Sequence, residues 1–415
     1  MMGLFKVAVL LASLGVCLGT INYDGFKVFR VNPRDDDEVR TMGFLKTLLE
    51  GKLDFWAEPR HAGKPIDFMV GPNFQTEALS VLSKHGIEAE VFIDNVEQLI
   101  EEQKQRSEVS TSAAFDYDSY HTYDEINQWV SDIASQYSNI VTEELLGTSY
   151  EGRQIKLLKI GKSGFNKPII WLESGVHSRE WLSPATMLAM VNMMVQGYGS
   201  DSTITTLLDQ IDWYILPMFN PDGYEYTWSG DRMWRKTRSP TYLSACVGTD
   251  PNRNWDHHWC ETGASNFPCS DTYCGTAAHT EIEVKTVTDY ILTLRNVQVF
   301  VDFHCYSQYW MVPWGYTKRL PANYRDQKAL ADKAVAALSS VYGTQYTTGS
   351  IANIIYEAAG SSADWAYGVA GIPYSFAPEL RDTGSYGFLI PARFIKDSAI
   401  ETLEAVKAIG NNFVV

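Results

Sequence analysis

From about Tyr120 to the C-terminus, short apolar runs alternate with longer segments of helical spacing, a pattern that commits the chain to a sheet with helices on its faces. The runs "QIKLLKI", "PIIWLESG", "DWYILPMF", "VQVFVDF" and "IPYSFA" read as strands. The segments "PATMLAMVNMMVQ", "HTEIEVKTVTDYILTLRN", "YRDQKALADKAVAALSSVYG" and "DSAIETLEAVKAIG" read as helices. In open α/β sheets ligands sit beyond the carboxyl ends of the strands, so chemistry is sought just after these runs. At 415 residues the chain can bury one large core and a smaller unit.

The smaller unit lies upstream. "FKVFRV" alternates as a strand; "DDDEVRTMGFLKTLLEG" has acidic residues at its start, helical spacing, and Gly51 as a stop. "LDFWAEP" and "PIDFMVG" read as strands, "NFQTEALSVLSKHG" as a capped helix ending at Gly86, and "EAEVFI" as a last strand. The order β-α-β-β-α-β predicts a ferredoxin-like α+β sandwich. A charged helix follows, then dissolves into small polar residues around Ser107 to Ala114, the composition of an exposed, cleavable link. Lys104 and Arg106, just ahead of it, suit a trypsin-like protease. The first residues carry one lysine, an apolar run of signal-peptide length and the small Gly19; no later stretch offers the ~20 apolar residues of a spanning helix. The expected organisation is a signal peptide over 1–19, a small domain over 20–106, a cleavable linker over 107–119 and an α/β domain over 120–415, secreted and with no membrane span.

A formal net charge of −16 without any basic stripe argues against a nucleic-acid partner and fits a soluble extracellular surface. Beyond Cys17, the cysteines Cys246, Cys260, Cys269 and Cys274 are clustered and Cys305 stands apart. In a secreted chain the four predict disulfides, with three pairings open, and their spacings lack the paired C-x2-C knuckles of structural zinc.

His177 follows one predicted strand and His304 ends another, with Glu180 three residues after His177. Two imidazoles and one carboxylate form a donor set for catalytic zinc that leaves a fourth position open. The patterns H-E-x-x-H and H-x-x-E-H are absent, since Trp181 follows Glu180, so the lone H-x-x-E needs its neighbours to carry weight.

Those neighbours, "HSREWLSPATM", "FNPDGYEYTW", "MWRKTR", "DPNRNWD", "DFHCYSQ", "IYEAAGSSADWAYG" and "ELRDTGSYGFLIP" in that order, resemble the metallocarboxypeptidases of the pancreatic A/B type. The resemblance runs from Tyr120 to the C-terminus, and the upstream unit is similar to that family's inhibitory activation segment. It implies a mixed β-sheet sandwiched between helices, one zinc held by His177, Glu180 and His304, and release of the C-terminal residue from peptides with a free C-terminus. It also implies Asp250 orienting His177, Arg253 and Asn252 gripping the terminal carboxylate, Tyr356 closing over it, Glu379 as general base and Arg235 stabilising the oxyanion. Arg179 and Tyr306 match the next subsite along the peptide. Cys246 would pair with Cys269 and Cys260 with Cys274, leaving Cys305 as a buried thiol.

At the position where B-type members of the family place an aspartate, this chain has Ala363. The other matching pocket positions, Met311, Gly315, Ile351, Ile355, Ala358 and Ala377, are apolar or small, which favours aliphatic or aromatic C-terminal residues through burial at ~25 cal/mol per Å². Asp364 adjoins Ala363 and is expected to point elsewhere. Pro251 in the arginine motif and Pro378 before Glu379 depart from the family pattern, and Pro378 is expected to shift the Glu379 backbone slightly. The reading is a monomeric secreted zymogen of A-type preference. The alternatives are a basic-residue, B-type enzyme and a binding protein of the same fold that lacks turnover.

Overall fold

The computed structural model describes residues 20–49, 51–104, 115–241 and 244–414. The expected signal peptide, and most of the expected linker with Arg106, lie outside these residues. In the small domain, strand β1 (Lys27–Val31) leads into α1 (Asp36–Leu48), whose first turn is capped by the Asp35 carboxylate accepting Glu38 N–H at 2.9 Å. Strands β2 (Leu53–Ala57) and β3 (Ile66–Val70), helix α2 (Gln75–Lys84), β4 (Glu90–Ile93) and α3 (Val96–Lys104) follow. The predicted β-α-β-β-α-β order holds, and the all-antiparallel sheet runs β2-β3-β1-β4. One correction concerns α2: its N-cap is Phe74, without a side-chain cap, and Gln75 instead donates to Gly25 O and Val70 O.

Strand alternation decides what this sheet packs against. Phe29, Val31, Phe55, Phe68 and Val70 turn toward α1 and α2, while Val28, Trp56 and Met69 turn into the core of the larger domain.

The large domain begins with α4 (Tyr123–Gln136), closed by a Thr122/Glu125 capping box. Then come β5 (Val141–Thr148), β6 (Gln154–Ile160), β7 (Ile169–Ser174), α5 (Leu182–Gly197), α6 (Ser202–Gln210), β8 (Asp212–Leu216), α7 (Pro221–Ser229) and α8 (Ile282–Ile291). The remainder is β9 (Val297–Cys305), β10 (Tyr309–Val312), α9 (Tyr324–Tyr342), β11 (Thr347–Ser350), α10 (Ile351–Ile354), α11 (Ser362–Gly368), β12 (Tyr374–Leu380) and α12 (Ile395–Gly410). The eight strands order as β11-β10-β12-β9-β7-β8-β6-β5 in a mixed sheet, whose central strands β12, β9, β7 and β8 run parallel to one another. Core clusters lie against both faces: one includes Ile126, Trp129 and Val406, the other Val284, Val287 and Trp365.

The predicted strand "IPYSFA" starts two residues late and runs on through Pro378 and Glu379. Phe376 pairs with Val301 and Glu379 with His304, so both strands advance three residues and Pro378 leaves the register unshifted. Pro251 sits at the first position of a short 3-10 turn, where its missing N–H costs nothing. The disulfides are Cys246–Cys269 and Cys260–Cys274, and Cys305 is free and buried.

Candidate active site

His177 hangs from the turn that leaves β7, and the turn has a local cause. Gly175 adopts φ +71, and a Cβ there would lie 2.9 Å from Met218 Sδ. Asn220, in the quoted "FNPDG", caps α7 through Gly223 N–H and donates its amide to Val176 O and Lys236 O, so one buried side chain ties the His177 turn to the segment carrying Arg235. That role was missed in the sequence. An asparagine immediately before Pro221 was the available signal, since this residue pair opens a helix.

His304 ends β9, and register sets Glu379 beside it on β12. His177 Nδ1 lies 2.8 Å from Glu180 Oε1, and His304 Nδ1 lies 3.1 Å from both His177 Nδ1 and Glu180 Oε2. All three side chains are buried, and their donor atoms lie within 4.8 Å of one another. Two imidazole nitrogens facing each other and a carboxylate form a set that fits a divalent ion. The donor chemistry suits zinc.

Asp250 joins two roles. Its Oδ1 is 3.2 Å from His177 Nε2, and its Oδ2 accepts Arg235 Nη2 at 2.8 Å. Against the desolvation of burial, Arg235 and then His177 hold this carboxyl well below the usual range. Glu379 goes the other way: burial, then the neighbouring Glu180, push it up to about 8, with His304, Arg60 and Arg235 opposing. Arg253 is buried; its hydrogen bonds are to Gly263 O and Asn252 O, and among the described residues no carboxylate forms an ion pair with it. A guanidinium paired only with carbonyls keeps its charge uncompensated by any ion pair and can accept an anion.

The structure brings most predicted residues to one cleft. The three metal donors, Glu379, Arg235, Asn252 and Arg253 line its polar part, with Tyr356 at the side. Met311, Ile351, Ile355, Ala358, Ala363 and Ala377 line the apolar end, together with Ser361 and Ser362, which the sequence reading did not single out. Gly315 stands behind this lining: a Cβ there would meet Ala358 O at 2.8 Å, so the residue supports the wall without forming it. Asp364 turns to the Gly315 and Tyr316 amides at 2.8 and 2.9 Å, and burial pushes it up to about 7 despite those bonds.

Arg179 and Tyr306 lie outside the cleft lining, beneath the small domain. Arg179 Nη1 donates to Asp54 at 3.0 Å, and Tyr306 Oη lies 3.4 Å from Asp67, which Arg30 clamps at 2.6 and 2.7 Å. Trp56 packs on Phe388, and Arg60 Nη1 donates to Tyr309 Oη at 3.2 Å on β10.

Residues 126–405 match the family described as zinc carboxypeptidase, and residues 29–103 match the carboxypeptidase activation peptide. Bovine (Bos taurus) carboxypeptidase A1 is 42% identical over 408 residues, covering 97% of this chain and 96% of the relative. Carboxypeptidase B of Astacus astacus is 49% identical over 298 residues, 71% of this chain and 97% of the relative. Among solved structures, thrombin activatable fibrinolysis inhibitor aligns with a TM-score of 0.86 at 36% identity, covering 94% of this chain and 98% of that one. Carboxypeptidase A from Helicoverpa armigera aligns at 0.85 and 30% identity, with the same coverage.

Proposed function

The chain belongs to the zinc carboxypeptidase family and carries its activation peptide, and from that premise we propose that it is a secreted, monomeric zymogen whose cleaved form removes aliphatic or aromatic residues from peptide C-termini. The observation that carries the specificity is the apolar end of the cleft. Its lining includes Ala363, Met311, Ile351, Ile355 and Ala377, and Asp364, the acid next to Ala363 in the chain, is spent on backbone amides. Burying a Phe or Leu side chain there is worth roughly 1.5–3 kcal/mol. A lysine would meet no countercharge on that lining.

In this reading Arg253, with Asn252, takes the terminal carboxylate through paired hydrogen bonds, and Tyr356 covers it. That grip places the scissile carbonyl beside Arg235, whose guanidinium is held by Asp250 and faces the developing oxyanion. His177, Glu180 and His304 would hold zinc, which when bound supplies a Lewis acid to that carbonyl. Glu379 takes the proton of the attacking water and passes it to the leaving amine. The small domain is the activation unit: it engages Arg179 and Tyr306, the matches to the next subsite, and a trypsin-like cut near Arg106 frees them.

One observation favours a B-type second reading: Ser362 of the cleft wall donates to buried Asp302, so a carboxylate lies behind the apolar lining. Expressing the full chain, cleaving with trypsin and assaying release of Phe, Leu, Lys and Arg with and without a chelator separates the two. Chelator-sensitive release of Phe and Leu at least tenfold faster than Lys and Arg is expected. The reverse order overturns the A-type assignment, and chelator-insensitive release overturns the metal.

A further inference from the structure

His304 turns Nδ1 to the other metal donors, and its second nitrogen meets a carboxylate that no sequence motif marks. Asp302 and His304 are two apart on β9 and share a face. Asp302 Oδ2 lies 2.9 Å from His304 Nε2 and accepts Ser362 Oγ–H at 2.5 Å, all within the buried interior. Asn252 Nδ2 also approaches Nε2, at 3.1 Å. Its Oδ1 is taken by Ser362 N–H at 2.9 Å, which fixes the amide with its own hydrogens toward the ring. Both contacts cannot be hydrogen bonds to one nitrogen. With Nδ1 committed to the donor cluster, Nε2 carries the ring proton, and the carboxylate is the partner that can accept it.

We propose that Asp302 is a positioning residue for the metal centre: it accepts the Nε2–H of His304, so that Nδ1 stays aimed at His177 and Glu180, and Ser362 holds Asp302 in place. This does for the second imidazole what Asp250 does for the first. Because Ser362 lines the apolar end, one hydrogen bond and one 2.9 Å contact to the ring link the wall that receives the terminal side chain to the aim of one metal donor. The proposal rests on the reading that His177, Glu180 and His304 bind zinc.

The test uses the trypsin-activated full-length chain and reads zinc affinity by competition with a chromogenic chelator, beside turnover of peptides ending in Phe and in Lys. Asp302→Ala is expected to weaken zinc binding about 10- to 100-fold, with lost turnover restored by excess zinc. Asp302→Asn keeps an acceptor oxygen and is expected to lose less, at least ~3-fold, with Ser362→Ala in the same direction. Thermal unfolding of the metal-free proteins identifies variants that fail to fold, and if the alanine variant fails, the asparagine variant decides. A folded Asp302 variant that binds zinc within twofold of the parent overturns the proposal. So does unchanged zinc affinity with a loss confined to the Lys peptide, which marks Asp302 as a pocket charge. A parent protein that binds zinc but hydrolyses neither peptide sinks the enzyme reading, while the affinity series still judges Asp302.

Discussion

The acids at the seam under the small domain meet guanidinium groups, whereas a subset of those buried inside the large domain meet none. At the seam, Asp54 faces Arg179 and Asp67 faces Arg30, each carboxylate matched by a guanidinium. Inside the large domain Glu283 and Asp364 are buried with only backbone amides as hydrogen-bond partners, and Glu173 with only the Trp171 indole. Burial lifts Glu283 to about 8 and Glu173 well above its usual range. Asp54 and Arg179 join the two domains and can separate into water when the small domain departs, whereas Asp67 and Arg30 both belong to the small domain and leave together. Unpaired acids in a fixed core stay neutral and make stability depend on pH. The active site lies where the two styles meet, with Asp250 paired and Glu379 lifted.

The largest expected effect breaks the second style at its functional end. Glu379→Gln in the cleaved protein should lower kcat by about 10²–10⁴-fold with unchanged zinc content, measured by peptide turnover and metal analysis. Next, Arg253→Ala removes a buried cation that waits for a carboxylate. The expected loss is about 2–3 kcal/mol in kcat/KM, close to 10²-fold, carried mainly by KM. A peptide amide should show no such difference between parent and variant.

Glu283 tests the pH argument directly. Its folded value of about 8 exceeds the usual 4.5, so between those pH values the folded state keeps a proton that the unfolded chain releases. Stability should therefore fall as pH rises through that window. Glu283→Gln should flatten the fall, raising stability at pH 8 by on the order of 2 kcal/mol relative to pH 5, read from melting temperatures. The smallest expected effect is at the seam: Asp54→Ala in the uncleaved chain should raise peptide turnover about tenfold. Asp271, 3.5 Å from Arg179, takes over part of the lost partner's role and limits the change. No rise would mean that packing such as Trp56 on Phe388 alone holds the small domain.

Much of this architecture was legible because buried strands advertise themselves. β7 and β9 are nearly continuous apolar runs and were read within two residues of their ends, and α9 stops where Gly343 takes φ +77. Strand β5 was missed: it is an edge strand with exposed Glu143 and Leu145, and it lacks the apolar face that makes a strand visible. Strands β10 and β11 were missed as four-residue elements, below the length at which a period can be counted. The disulfide pairing came from the family resemblance; the spacings themselves left three arrangements open. At the site, the metal donors and Arg253 were marked by motifs. Ser362 was not, because Asp302, which accepts its hydroxyl, lies 60 positions away; Asp302, two residues before His304 on the same strand face, belongs to no motif that would mark it.

Sequence alone determined which groups are available: two imidazoles and Glu180, the acids Asp250 and Glu379, the arginines Arg235 and Arg253, and an alanine at position 363. It could do so because side-chain chemistry is fixed by residue type. Only the tertiary structure decided which of the buried acids meets a cation, which meets an amide and which meets a ring nitrogen. Those pairings depend on strand register and domain contact between residues far apart in the chain, and a charge in a low-dielectric interior takes its character from the few atoms that surround it.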